Sequence, residues 1–173
     1  YGLSLAKNIG GVSVGAELSY RDNTPLNAVV LGNAAAGGIP AQGETSGPRG
    51  NTANGLVNVL GVVPKTAVFD AATWAGELVW GHLVSVKSGA NLFMGEGYAP
   101  CAGKDKWDGC TTRNYFGLSA AFTPTWYQVF PGVDLSAPMA LYVGLSGNAP
   151  TIFGGNQGNG NYAIGLGADV YQK

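Results

Sequence analysis

Apolar and polar residues alternate one by one through long stretches of this chain. Between Val133 and Leu145, residues Val133, Leu135, Ala137, Met139, Leu141, Val143 and Leu145 share one parity; Asp134, Ser136, Pro138, Ala140, Tyr142 and Gly144 share the other. From Tyr162 to Val170, Tyr162, Ile164, Leu166, Ala168 and Val170 alternate with Ala163, Gly165, Gly167 and Asp169, and Tyr171 continues the second set. Successive side chains of a strand point to opposite faces, so each run has one unbroken apolar face and one small or polar face. Strands of soluble sheets are typically about 5–6 residues long. Tilted strands of a transmembrane barrel need ~9–11, apolar toward lipid and polar toward the lumen. The pattern predicts an all-β chain, part of the wall of an antiparallel, up-and-down outer-membrane β-barrel.

The same alternation places seven strands along residues 1–173, read as one partial barrel domain. Tyr1, Leu3 and Leu5 alternate with small residues up to a tight turn at Asn8–Gly11. Val12, Val14, Ala16, Leu18 and Tyr20 form the apolar side of the second strand. The third, Asn54 to Val63, is apolar on both parities; Asn58 sets Val57, Val59 and Val63 outward. Ala72 to Val84 carries Trp74, Leu78, Trp80 and Val84 on one side, and Arg113 to Val129 carries Phe116, Leu118, Ala120 and Phe122. Long polar segments at about 21–53, 85–112 and 147–160 alternate with short turns at 8–11, 64–71 and 131–132. Loops beyond ~12–15 residues are uncommon in compact soluble domains. Outer-membrane barrels carry long loops outside and short turns on the periplasmic side. Aromatics fall near the expected interfaces, Tyr20 and Tyr162 at one side and Trp74, Trp126, Tyr127 and Tyr171 at the other, though the rims of a soluble sandwich could mimic such girdles.

Composition narrows the partners. Charged residues are 11% of the chain and the net charge is -1, against ~25% charged in soluble domains. Nothing in that balance attracts a polyanion, so no nucleic-acid partner is expected. The 29 glycines are more than twice the ~7% of average chains, and several fall on the polar parity, where a lumen wall needs little side-chain volume. Both ends lie within strands, so the sequence reads as a fragment of a larger barrel. Seven is an odd number where bacterial single-chain barrels use even ones. The first and last strands are accordingly expected at opposite, unpaired edges of the sheet.

Candidate chemistry is sparse. Glu17, Glu77, Arg113, Asp134 and Asp169 share the inward parity and would bias passage through a lumen; scattered charges on any water-facing wall are the alternative. Cys101 and Cys110 lie in a polar loop whose spacing fits neither a zinc nor a redox motif. An even count there fits a disulfide in an oxidising compartment, worth on the order of 2–3 kcal/mol in the chain-entropy view; two free thiols are the alternative. His82 is the only histidine, and Ser146 lacks the Gly-x-Ser-x-Gly elbow. No catalytic residue, metal site or cofactor is expected, and an enzyme is not.

The segments Cys110–Asn114, Phe122–Pro138 and Gly144–Pro150, with Tyr1–Ser4 and Phe69–Glu77, resemble a family of Gram-negative, pseudomonad-type outer-membrane proteins catalogued as a domain of unknown function. The resemblance implies a large barrel, loosely like the long-chain fatty-acid channels. It would pass small hydrophobic molecules, contact membrane lipid and lipopolysaccharide, and work with a periplasmic lipoprotein. The alternative is a structural or docking barrel that binds a periplasmic or extracellular protein.

Overall fold

One antiparallel sheet takes up nearly all of the regular structure. The computed structural model describes residues 1–29, 47–152 and 154–171. Its strands are β1 (Gly2–Ile9), β2 (Val12–Pro25), β3 (Arg49–Val63), β4 (Ala71–Ser88), β5 (Asn114–Phe130), β6 (Val133–Ser136), β7 (Met139–Ser146), β8 (Gly160–Ile164) and β9 (Gly167–Val170). Pairing runs β1-β2-β3-β4-β5; β5 then pairs with β6 toward one end and β7 toward the other, and these pair with β9 and β8. β6 with β7, and β8 with β9, are thus two halves of single strands. The sheet is seven strands wide, each beside its sequence neighbour, as the alternation predicts. β1 lies at one edge and β8–β9 at the other, and the sheet is not closed into a barrel.

Both interruptions have a local cause. Pro138 has no N–H to give the ladder, and it splits the run from Val133 to Leu145. Its carbonyl accepts from Gly165 N at 2.8 Å, where the next strand breaks as well, and Ala137 N donates to Pro124 O at 3.1 Å. Pro124, Pro138 and Gly165 therefore form one fault line across three strands.

Connections are short at one end of the sheet and long at the other. Gly10 and Gly11 join β1 to β2 with φ of 60° and 86°, the paired left-handed geometry of a type I′ turn, which a Cβ would oppose. Pro131-Gly132 joins β5 to β6. Residues 64–70 join β3 to β4, closed by Lys65 Nζ to Asp70 Oδ1 at 2.6 Å and by Thr66 Oγ1, which accepts from the N–H groups of Val68 and Phe69. Trp126 Nε1 donates to Val68 O at 2.6 Å, and Phe69 meets Phe122 edge-on at 5.8 Å, so aromatics do gather at this end.

The strands outrun the apolar band. β4 has 18 residues and β5 has 17, and pairing continues through Arg21–Pro25 and Arg49–Ala53, which read as loop in the sequence. Side chains hold this polar extension together. Asn51 donates to Tyr20 Oη at 2.6 Å and accepts from Asn23 N at 3.1 Å, across a bulge where Asn23 has φ 53°. The middle of the long 21–53 loop, residues 30–46, lies outside the described residues, as do the last two residues of the final strand run to Lys173.

The buried cluster is not under the sheet. Leu26, Leu83 and Phe93, with Val86 and Tyr98 against them, pack at the long-loop end. The apolar face itself is bare: Leu3 is 75% exposed, Leu18 56%, Leu141 47% and Ile164 74%. A soluble sandwich would cover such a face with a second sheet about 10 Å away; among the described residues none is present. No described helix is long and apolar enough to cross a membrane, which says nothing of strands.

Candidate functional site: the polar face and its loop cover

Register turns the polar parity into an ordered surface. Asn58, Glu77, Ser119, Tyr142 and Asn161 are successive cross-strand partners from β3 to β8. Directly paired residues project to the same side, so they form one polar rung across five strands. Two residues toward the short turns, Leu60, Ala75, Ala121, Ala140 and Ala163 form a parallel rung of small apolar groups. Two residues the other way, Leu56, Val79, Gly117 and Gly144 form a third. A groove of about 540 Å³ follows the polar and alanine rungs.

Toward the long loops the groove is roofed. A second pocket of about 380 Å³ is lined by Glu17, Arg21, Asn54 and Glu77 from the sheet and by Ala149–Thr151 and Gly154 from the β7–β8 loop. Glu77, Ser119 and Tyr142 border both pockets. The loop lies close because the sheet leaves room for it. Tyr115, 2% exposed, hydrogen-bonds its hydroxyl to that of Tyr142 beneath Gly155, where any added Cβ would strike both phenols. A Cβ at Gly144 would collide with the backbone of Asn156. Tyr142, which the alternation leaves facing open water, is half-buried under this cover.

One side chain rivets the cover to the other loops. Asn148, 1% exposed, donates from Nδ2 to Lys106 O at 2.7 Å and Cys110 O at 2.9 Å, and accepts at Oδ1 from Gln157 N at 3.0 Å. Its backbone N donates to Thr112 Oγ1 at 2.8 Å. Asn27 Nδ2 donates to Ala149 O at 2.8 Å, and Met94 and Thr111 continue the network through backbone bonds. Cys101 and Cys110 are bonded to each other, with Cα atoms 6.1 Å apart, so the loop that Asn148 grips is itself closed. A capping box of Asp105 and Asp108 shapes its tip, where Lys106 lies 5.3 Å over the exposed Trp107 ring.

The charged candidates separate into three places. Glu17 and Glu77 both line the roofed pocket. Asp134 and Asp169 lie far down the sheet as direct cross-strand partners on β6 and β9, an arrangement in which like charges repel. Asp134 is relieved by donors: its carboxylate accepts from Gln128 N at 2.8 Å and from Tyr171 Oη at 2.5 Å, and it is 8% exposed. Its part there is to hold the β5 bulge, where Gln128 takes φ 50°. Arg113 sits just before β5 and donates from Nε to Leu83 O at 3.4 Å, at the base of the loops. His82 stacks on Trp80 at 5.7 Å, with Nδ1 2.8 Å from Asn114 Oδ1, on the apolar parity. No group of three or more His, Cys, Asp or Glu among the described residues could hold a metal ion.

Arg21, Tyr115 and Asn148 escape the sequence reading. Arg21 falls in a segment whose polarity reads as loop, and Asn148 belongs to a stretch without periodicity. The signal available was the glycine set Gly144, Gly147, Gly154 and Gly155 flanking Asn148, which permits close backbone approach.

No curated protein and no solved structure matches this chain. A family model described as "Protein of unknown function (DUF1302)" matches residues 1–173, the whole sequence. The chain belongs to that family.

Proposed function

We propose that this chain forms part of the wall of an outer-membrane channel that passes small hydrophobic molecules. The observation that carries the reading is the two-faced sheet: one side predominantly apolar with no described layer against it, the other polar, grooved and roofed by a loop. An apolar face of this extent is costly in water and favourable against lipid chains and the acyl part of lipopolysaccharide. The polar side then lines the path, and the β7–β8 loop narrows it near Tyr115 and Tyr142. The two edges that are unpaired among the described residues need partners, since unpaired backbone groups cost several kcal/mol each in hydrocarbon; further strands of the barrel would supply them.

Reconstitution of the intact protein in liposomes tests this. Entry of small apolar solutes should exceed that of empty liposomes. No flux for any compound class, together with a stoichiometric co-purifying protein, would instead favour a docking barrel.

A further inference from the structure

The geometry points to a binding site for an amphipathic amine on the polar face, with the alkyl chain along the alanine rung and the ammonium group at Glu77 beneath the loop. The inference rests on the channel reading and adds the class of molecule held. Two adjoining spaces, one mainly apolar and one more polar, meet at Glu77, Ser119 and Tyr142. On one side the lining is methyl groups of Ala75, Ala121, Ala140 and Ala163 with Leu60. On the other the described lining is more polar, with the carboxylates of Glu17 and Glu77 and the guanidinium of Arg21.

Length and charge both select. Neighbouring rungs two residues apart along a strand are separated by roughly 7 Å, so a medium-length chain spans the alanine rung while its head reaches the polar one. The acceptors in the roofed pocket favour a donor, and a partly buried carboxylate favours a cation through a charge-assisted bond. A fatty acid would add a negative charge to a pocket whose described lining has two carboxylates and one guanidinium. Glu77 is half-buried, so solvent screens it less than Glu17, which is exposed.

Alanine-methyl NMR of the intact protein in lipid nanodiscs reads the site directly. Dodecylamine, dodecanol and dodecanoate are titrated as probes. The amine should shift Ala75, Ala121, Ala140 and Ala163 saturably, at about tenfold lower concentration than dodecanoate. Ala16 and Ala120 on the apolar face report simple partition into the bilayer. Glu77→Gln should bring amine and alcohol to near parity, with the Ala16 and Ala120 signals in place as proof of folding. Equal binding of the acid, or shifts confined to Ala16 and Ala120, overturns the assignment. Solute flux without amine selectivity would leave the channel reading standing and remove this site; selective shifts without any flux would do the reverse.

Discussion

Single residues of this wall carry opposite tolerances according to parity. Leu141 and Asn161 lie on neighbouring strands, Leu141 on the apolar face and Asn161 on the polar rung. Leu141→Arg should destabilise the reconstituted protein by roughly 2–4 kcal/mol, the penalty for a lipid-facing cation near mid-bilayer, and Asn161→Arg by about 1 kcal/mol or less; chemical denaturation in lipid measures both. Tyr142 would be a poor control because its hydroxyl bonds to Tyr115 under the loop. At the turn, the Lys65 ammonium beside Asp70, helped by the Tyr127 N–H, holds the Asp70 carboxyl below its usual range. A lowered carboxyl favours the folded turn above the ordinary carboxylate pKa of about 3.9, and the contribution fades as pH falls through the lowered value. An NMR titration of the Asp70 side-chain carbon should therefore show a midpoint below the ordinary aspartate value of about 3.9. Parity made these assignments legible from the sequence. The roles of Asp134, Arg113 and Tyr142 were not, because each depends on a partner from another element.

Strands and loops differ in how much of themselves they declare. The seven strand runs declare themselves because period two is imposed by the pleat wherever the two faces meet different surroundings. Where the surroundings become the same on both sides, as in Arg21–Pro25 and Arg49–Ala53, the period vanishes while the ladder persists, and those strand ends read as loop. Register is also invisible along one strand: the alternation assigns Glu77 a parity, but its alignment with Asn58 and Ser119 comes only from the pairing. Loop packing has no period at all, so the Asn148 rivet could not be anticipated. Asn148→Ala would leave the carbonyls of Lys106 and Cys110 and the N–H of Gln157 without that partner, each at about 1–3 kcal/mol if not rehydrated. Trypsin cleavage after Lys104 and Lys106 should accelerate in this variant while the strands stay intact. The Cys101–Cys110 loop should also resist thiol reagents on intact cells until a reductant is added; labelling without reductant would contradict the bond.

Across the whole molecule, the hydrophobic layout is inverted relative to a soluble β-protein. The buried cluster of Leu26, Leu83 and Phe93 sits at the long-loop end, where β4 supplies Leu83 and the neighbouring loops supply the rest, while the broad apolar face of the sheet has no described layer against it. The central claim is that this face meets lipid and the opposite face meets water. Spin labels placed one at a time at Val57, Asn58, Leu118, Ser119, Leu141 and Asn161 in the reconstituted protein measure it directly. Val57, Leu118 and Leu141 should be accessible to oxygen and shielded from a water-soluble nickel complex, with the reverse at Asn58, Ser119 and Asn161. Equal accessibility to both relaxants on the two parities would contradict the account.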